Sequence, residues 1–232
     1  MTAERGTSVM PAAADLRIRQ PWHFGWGPTV SIVGWIALTV VVAALADHTL
    51  VVRMPEAFPD KTIGRRCLQI PNHLFRGWGF VVLAMALCLL WNERRWKALI
   101  GLGVTAGAAT AALWGLKLVI GRARLEAGLG WLAFEPFSLH TGFHSFPSGH
   151  TMTAVLLTLL VIICFGRWGW LLWPLVVMVA VIRVVLLRHF PSDLIAGAGL
   201  ALLAMWGCRQ WLGDAYFRPL WGAGAGPGAA AR

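Results

Sequence analysis

Seven side chains between residues 117 and 193 could do chemistry together: Lys117, Arg124, Ser148, His150, Arg183, His189 and Asp193. They are set among long apolar runs, where a charge is costly and needs a function or a partner. Their types suit a phosphate ester. Lys117, Arg124 and Arg183 offer charge and forked donors to a phosphoryl group. A carboxylate on one ring nitrogen of a histidine fixes the tautomer and leaves the other nitrogen's lone pair free as a nucleophile. Phosphoryl transfer asks mainly for such positioning and charge stabilisation.

The spacings say which elements must hold these groups. His189 and Asp193 are four residues apart, so a helical turn puts carboxylate beside imidazole. Pro191 suits the first turn of that helix. Pro147-Ser148-Gly149-His150 opens another helix, where free backbone N–H groups and the helix dipole favour an anion. Gly149 lets phosphate oxygens approach the backbone, and Ser148 adds a donor.

Composition places these helices in a membrane. Of 232 residues, 58% are hydrophobic and 13% charged, against about 25% charged in soluble domains. Mean hydropathy is +0.67. The net charge of +10 would suggest nucleic acid in a soluble protein. Here it fits loops facing anionic lipid headgroups, with no nucleic-acid partner. Fourteen tryptophans against one tyrosine match a preference for the membrane interface. Cys67, Cys88, Cys164 and Cys208 form no CxxC pair and read as small hydrophobes. His140 and His144 with His150 lack a carboxylate or cysteine placed to complete a zinc site, so no metal is expected.

A span needs about 20 predominantly apolar residues. The sequence offers six: 29–46, 77–91, 98–120, 149–165, 168–187 and 191–212, the first closed by Asp47 and His48. The expected architecture is all-α, a six-helix membrane bundle over 29–212. An N-terminal segment, 1–28, precedes it without a removable signal, and a disordered Gly/Ala-rich tail, 213–232, follows. A polar loop joins the first two spans over 50–76. Glycines and alanines in the third span allow close helix packing. The exits of spans three and five and the starts of spans four and six lie on one membrane face, so all the candidate groups fall there. Setting aside the basic residues of the site, ten loop Lys and Arg on one face oppose five on the other. That puts both termini in the cytoplasm and the site outside, in a plasma membrane of bacterial type.

Lys117-x6-Arg124, Pro147-Ser148-Gly149-His150 and Arg183-x5-His189-x3-Asp193 together resemble the type 2 phosphatidic acid phosphatase superfamily, whose pattern is K-x6-RP, PSGH and SR-x5-H-x3-D. The resemblance covers about a third of the chain. It implies a six-helix membrane bundle and hydrolysis through a phosphohistidine without metal or other cofactor. By position, His189 is then the nucleophile, Asp193 its orienting partner and His150 the acid on the leaving oxygen. Lys117, Arg124, Ser148, Gly149 and Arg183 hold the phosphate. Leu125 replaces the family's proline and Ile182 its serine. The loop aiming Arg124 is therefore expected to be looser, with Arg122 a competitor for its role. Arg188 is a second possible substrate contact. The expected activity is removal of phosphate from a lipid phosphate or diphosphate: phosphatidic acid, phosphatidylglycerol phosphate, undecaprenyl diphosphate or lipid A. Transfer between lipids, or an inactive lipid-binding or transport module, are the alternatives.

Overall fold

The computed structural model describes residues 28–51, 82–84, 86, 89 and 95–217. Five helices carry most of the described chain. Helix α1, Pro28–Val42, runs into a π-helical turn, Ala43–Asp47, and continues to Val51. Helices α2 to α5 are Arg95–Ile120, Gly149–Phe165, Trp173–Val185 and Pro191–Leu212. No strand occurs among the described residues, and Arg122 and Phe134 form an isolated bridge.

Helix ends follow local chemistry. α5 starts at Pro191, whose missing N–H costs nothing in a first turn. Asp193 reaches back to accept the N–H of Phe190, at 2.9 Å, in the manner of a capping box. At the far end Gly213 leaves the helix at φ 83°. α2 ends at Gly121, φ 56°, where a Cβ would stand 1.7 Å from the carbonyl oxygen of Glu135. Only glycine fits that turn.

α5 is the hub, packed against α1, α2 and α3, while α4 packs on α3. Small residues set its approach. A Cβ at Gly197 would lie 2.4 Å from Ser148 O, and one at Gly199 would enter the indole of Trp35. That indole donates from Nε1 to Ile195 O at 2.7 Å. Leu102, Ala109, Leu113, Val155, Leu156 and Ala201 fill the space between helices. Large apolar side chains such as Ile36, Val40, Trp114, Val181 and Trp206 stand outward, as a lipid solvent requires.

Among the described residues three helices are long and apolar enough to cross a membrane: Ser31–Val51, Trp96–Ile120 and Pro191–Leu212. Gly149–Ile163 and Gly169–Val185 are shorter apolar helices. The expected second span, 77–91, falls almost wholly outside the described residues, as do the loop after residue 51, the segment before 28 and the tail after 217.

Two boundaries differ from expectation. Asp47 does not close the first span; the helix passes through it with the carboxylate fully buried. Nor does the chain leave the bundle at 213. Asp214 takes Arg209 Nε at 2.5 Å, and Phe217 is buried in the core.

Candidate active site

The end of α2, the start of α3, the end of α4 and the start of α5 meet at one end of the bundle. Backbone bonds join them. Ser148 N donates to Asp193 O at 2.9 Å, and Glu126 N to Leu187 O at 2.8 Å. The connection 121–148 is sewn down along its length. Ala123 N binds Ala133 O at 2.9 Å, Arg124 N binds Gly142 O at 2.8 Å, and Ser145 N binds Arg122 O at 3.0 Å.

Asp193 sits at the centre, fully buried. Its Oδ2 accepts Ser145 Oγ at 2.6 Å and Phe190 N at 2.9 Å. Its Oδ1 accepts Arg122 Nη1 at 2.7 Å. The same Oδ2 lies 3.5 Å from Nδ1 of His189, longer than a formed hydrogen bond, and the buried Nδ1 has no other partner among the described residues. With Nδ1 turned to the carboxylate, Nε2 is the nitrogen left to act on a substrate. Burial holds the His189 imidazole down to a pKa of about 4, with Arg183 and Lys117 pushing the same way and Asp193 opposing them. His189 is therefore neutral over the physiological range, its lone pair available.

Two cations, Arg183 and Lys117, act on that neutral ring, and Arg124 acts on Lys117. Lys117, in the last turn of α2, is buried and gives its Nζ to His144 O at 2.6 Å. It lies within electrostatic reach of Arg124, Arg183 and Asp193. Arg183 is buried in the last turn of α4. Arg124 is half-buried near the rim, its Nη1 3.8 Å from Glu126. Ser148, fully buried, precedes α3 and accepts Thr151 Oγ1 at 3.1 Å. Gly149 lies in the same turn, where a Cβ would stand 3.0 Å from Leu113, so α2 packs closely there. His150 follows, half-buried in the first turn of α3.

One arginine sits elsewhere than expected. Arg122, read as a substrate contact and rival of Arg124, is buried behind Asp193. Its donors go to Asp193, to Ser192 Oγ at 2.7 Å, to Asp47 Oδ2 at 2.8 Å and to Trp131 O at 2.9 Å. A guanidinium engaged on all these acceptors has no donor to offer a ligand. Arg188 lies at the rim and pairs with Glu126 at 2.6 Å.

The departures at Leu125 and Ile182 do not loosen the frame. Leu125 begins a 3-10 turn, Leu125–Ala127, closed by Ala127 N on Arg124 O at 3.0 Å and by Gly128 at φ 67°. Those bonds supply the restraint a proline would have. Ile182 is buried apolar surface on α4.

Sequence reasoning missed Asp47, Ser145 and Ser192. Asp47 carried a signal, because a carboxylate at the end of an apolar run needs a partner. The two serines carried none.

A family model described as the PAP2 superfamily matches residues 98–217. Two proteins named lipid A 1-phosphatase, from Rhizobium johnstonii and Rhizobium etli, are each 38% identical over 84 residues, 35% of this chain and 34% and 36% of theirs. The match thus spans about a third of the length of these relatives. A crystal structure from Bacillus subtilis, of the first transmembrane PAP2 type phosphatidylglycerolphosphate phosphatase, shares the fold. Its TM-score is 0.51 at 22% identity, over 77% of this chain and 94% of that one. The family match takes in nearly all of α2, every candidate group from Lys117 to Asp193 and α5, more than half of the sequence, and the chain belongs to the PAP2 superfamily.

Proposed function

We propose that this protein is a membrane lipid phosphatase that works through a phosphohistidine at His189. The observation that carries the reading is a buried, neutral imidazole with Nδ1 turned to Asp193 and with Lys117 and Arg183 in electrostatic reach, Arg124 standing beside Lys117. Nε2 attacks phosphorus, the bond from phosphorus to the ester oxygen breaks, and His150 gives that oxygen its proton. Water then attacks the phosphohistidine, passing a proton to His150 and releasing phosphate and His189. The three cations, Ser148 and the N–H groups at Gly149 stabilise the charge on the phosphoryl oxygens throughout. Asp193 steadies the imidazole as it becomes positive. The reaction asks for no metal.

Two observations support a lipid substrate. Three helices are long and apolar enough to cross a bilayer, and the connection beside the site exposes Leu129, Leu132, Phe134, Phe137 and Leu139, apolar surface suited to acyl chains. The names of the Rhizobium relatives put a lipid A 1-phosphate first among candidates, ahead of phosphatidic acid, phosphatidylglycerol phosphate and undecaprenyl diphosphate. The site faces away from the cytoplasm in this reading.

The test is phosphate release from each of these four lipids in detergent with EDTA present. At least one is expected to turn over, and His189→Ala to lose roughly 10³-fold or more, the scale seen when an active-site nucleophile is removed. Folded wild-type protein inert on all four would sink the reading. Full turnover in His189→Ala would remove the phosphohistidine.

A further inference from the structure

Arg122 and Asp47 belong to no part of the proposed phosphate pocket, yet among the described residues they are held by an unusually large set of buried hydrogen bonds. Asp47 stands at the end of the π-helical turn of α1, fully buried. Its Oδ1 accepts Ser192 N at 3.1 Å, and its Oδ2 accepts Ser192 Oγ in a short bond. Arg122 Nη2 reaches the same Oδ2 at 2.8 Å, while Nη1 reaches Asp193 Oδ1 at 2.7 Å. The guanidinium lies over the Phe190 ring, 4.2 Å from its centroid. One cation is thus clamped between two buried carboxylates, 75 and 71 residues away in the chain.

A structural ion pair needs one carboxylate. The second has an electrostatic consequence for the nucleophile. Asp193 can support a positive imidazole only with the negative charge it retains. A guanidinium at hydrogen-bond distance from Asp193, with no other anion near it, would cancel most of that field in a dry site. Asp47 divides the guanidinium's charge between two acceptors. Arg122 can then fix the Asp193 rotamer without extinguishing Asp193.

We propose that Asp47 and Arg122 are positioning residues for the reaction, setting the orientation and the effective charge of Asp193 behind His189. α1 is then part of the catalytic apparatus, although it need not touch substrate. A π-turn re-aims side chains by one residue within a helix, and here it delivers Asp47 to Ser192 and Arg122. The inference rests on the phosphohistidine reading.

The test uses the detergent-solubilised protein with whichever of the four lipids above it turns over fastest, following kcat, KM and the rate of phosphohistidine formation in a single turnover. Asp47→Asn keeps the shape and loses the charge. It is expected to lower kcat about tenfold or more with KM within about twofold, the signature of an interaction needed only in the transition state. Phosphohistidine formation should slow by the same factor. Arg122→Lys keeps the charge but loses the fork, and its kcat should fall at least as far. A purely structural network predicts lower thermal stability with kcat of the folded fraction unchanged, and that result would overturn the proposal. Should Asp47→Asn not fold, Ser192→Ala removes one strand of the clamp and should still lower kcat at constant KM; unchanged kcat there would also overturn it. If wild type forms phosphohistidine and Asp47→Asn forms it equally fast, the inference fails and the reading stands. If wild type forms none and His189→Ala is active, the reading fails and takes the inference with it.

Discussion

Four buried hydroxyls divide the molecule into two regions. In the middle of the bundle Thr105 and Thr158 donate to carbonyls four residues back in their own helices, at 2.6 and 2.9 Å. At the site end Ser145 donates to Asp193, 48 residues away, and Ser192 to Asp47, 145 residues away. A hydroxyl that bonds within its own helix asks nothing of its neighbours, so shape alone decides how those helices pack. At the site end each group is satisfied only if others, from different elements, arrive together. In a low dielectric a partly satisfied network costs more than an apolar one. The candidate site is therefore assembled as a unit, whereas the middle of the bundle makes no such demand.

The strongest way to break this contrast is at Asp193. Asparagine has one acceptor oxygen where Asp193 serves Ser145, Phe190 and Arg122, and it carries no charge for His189. Asp193→Asn is expected to lower kcat by roughly 10³-fold or more. It should also destabilise the fold by about 3–5 kcal/mol, as when one partner of a buried ion pair is removed. Turnover and thermal unfolding in detergent measure both. A variant within tenfold of wild-type activity would remove the His189–Asp193 pair as the carrier of the chemistry.

How much of this was legible in the sequence follows the same division. The start and end of α5, the opening of α3 at Gly149 and the His189–Asp193 turn were readable because each depends on neighbours four residues apart or fewer. Membrane character followed from composition, and the family resemblance from motifs within 117–193. Long-range pairing was not readable. Asp47 looked like the end of a span, because a charge normally ends one. It stays inside because Ser192 and Arg122 together satisfy its oxygens. Arg122 looked like a ligand contact because it neighbours Arg124 in the chain, yet its side chain turns inward to Asp193. Ser145 and Ser192 have no local signature at all. The expected looseness after Arg124 rested on a missing proline, but backbone bonds to Gly142 and Leu187 hold that turn.

Acid sharpens the comparison with a smaller effect. His189 in the folded protein titrates near pH 4, whereas in the unfolded chain it returns to about 6.5. Between those values the unfolded state holds a proton that the folded state does not, so stability falls as pH drops from about 6.5 toward 4. Above that window the contribution is constant. The His189 ring signals in nuclear magnetic resonance should stay those of a neutral imidazole from pH 8 to about 5. A midpoint near 6.5 would mean that the ring is not buried among cations, and the nucleophile would need another account.

The smallest expected effect lies at Thr158. Replacing it by valine removes a hydroxyl whose acceptor, Ala154 O, belongs to the same helix. That carbonyl faces the amide N–H of the residue four positions on, so no buried group is stranded. Hydrogen bonds of this kind inside membrane proteins are worth about 0.6 kcal/mol on average. Thr158→Val should therefore change thermal stability by less than about 1 kcal/mol, with kcat unaltered. The volume is kept, so packing between α3 and its neighbours is kept too. If turnover fell more than about threefold instead, the middle of the bundle would not be governed by shape alone. The cooperative region would then extend a turn or more down α3, and the boundary between the two regions would have to be drawn below Thr158.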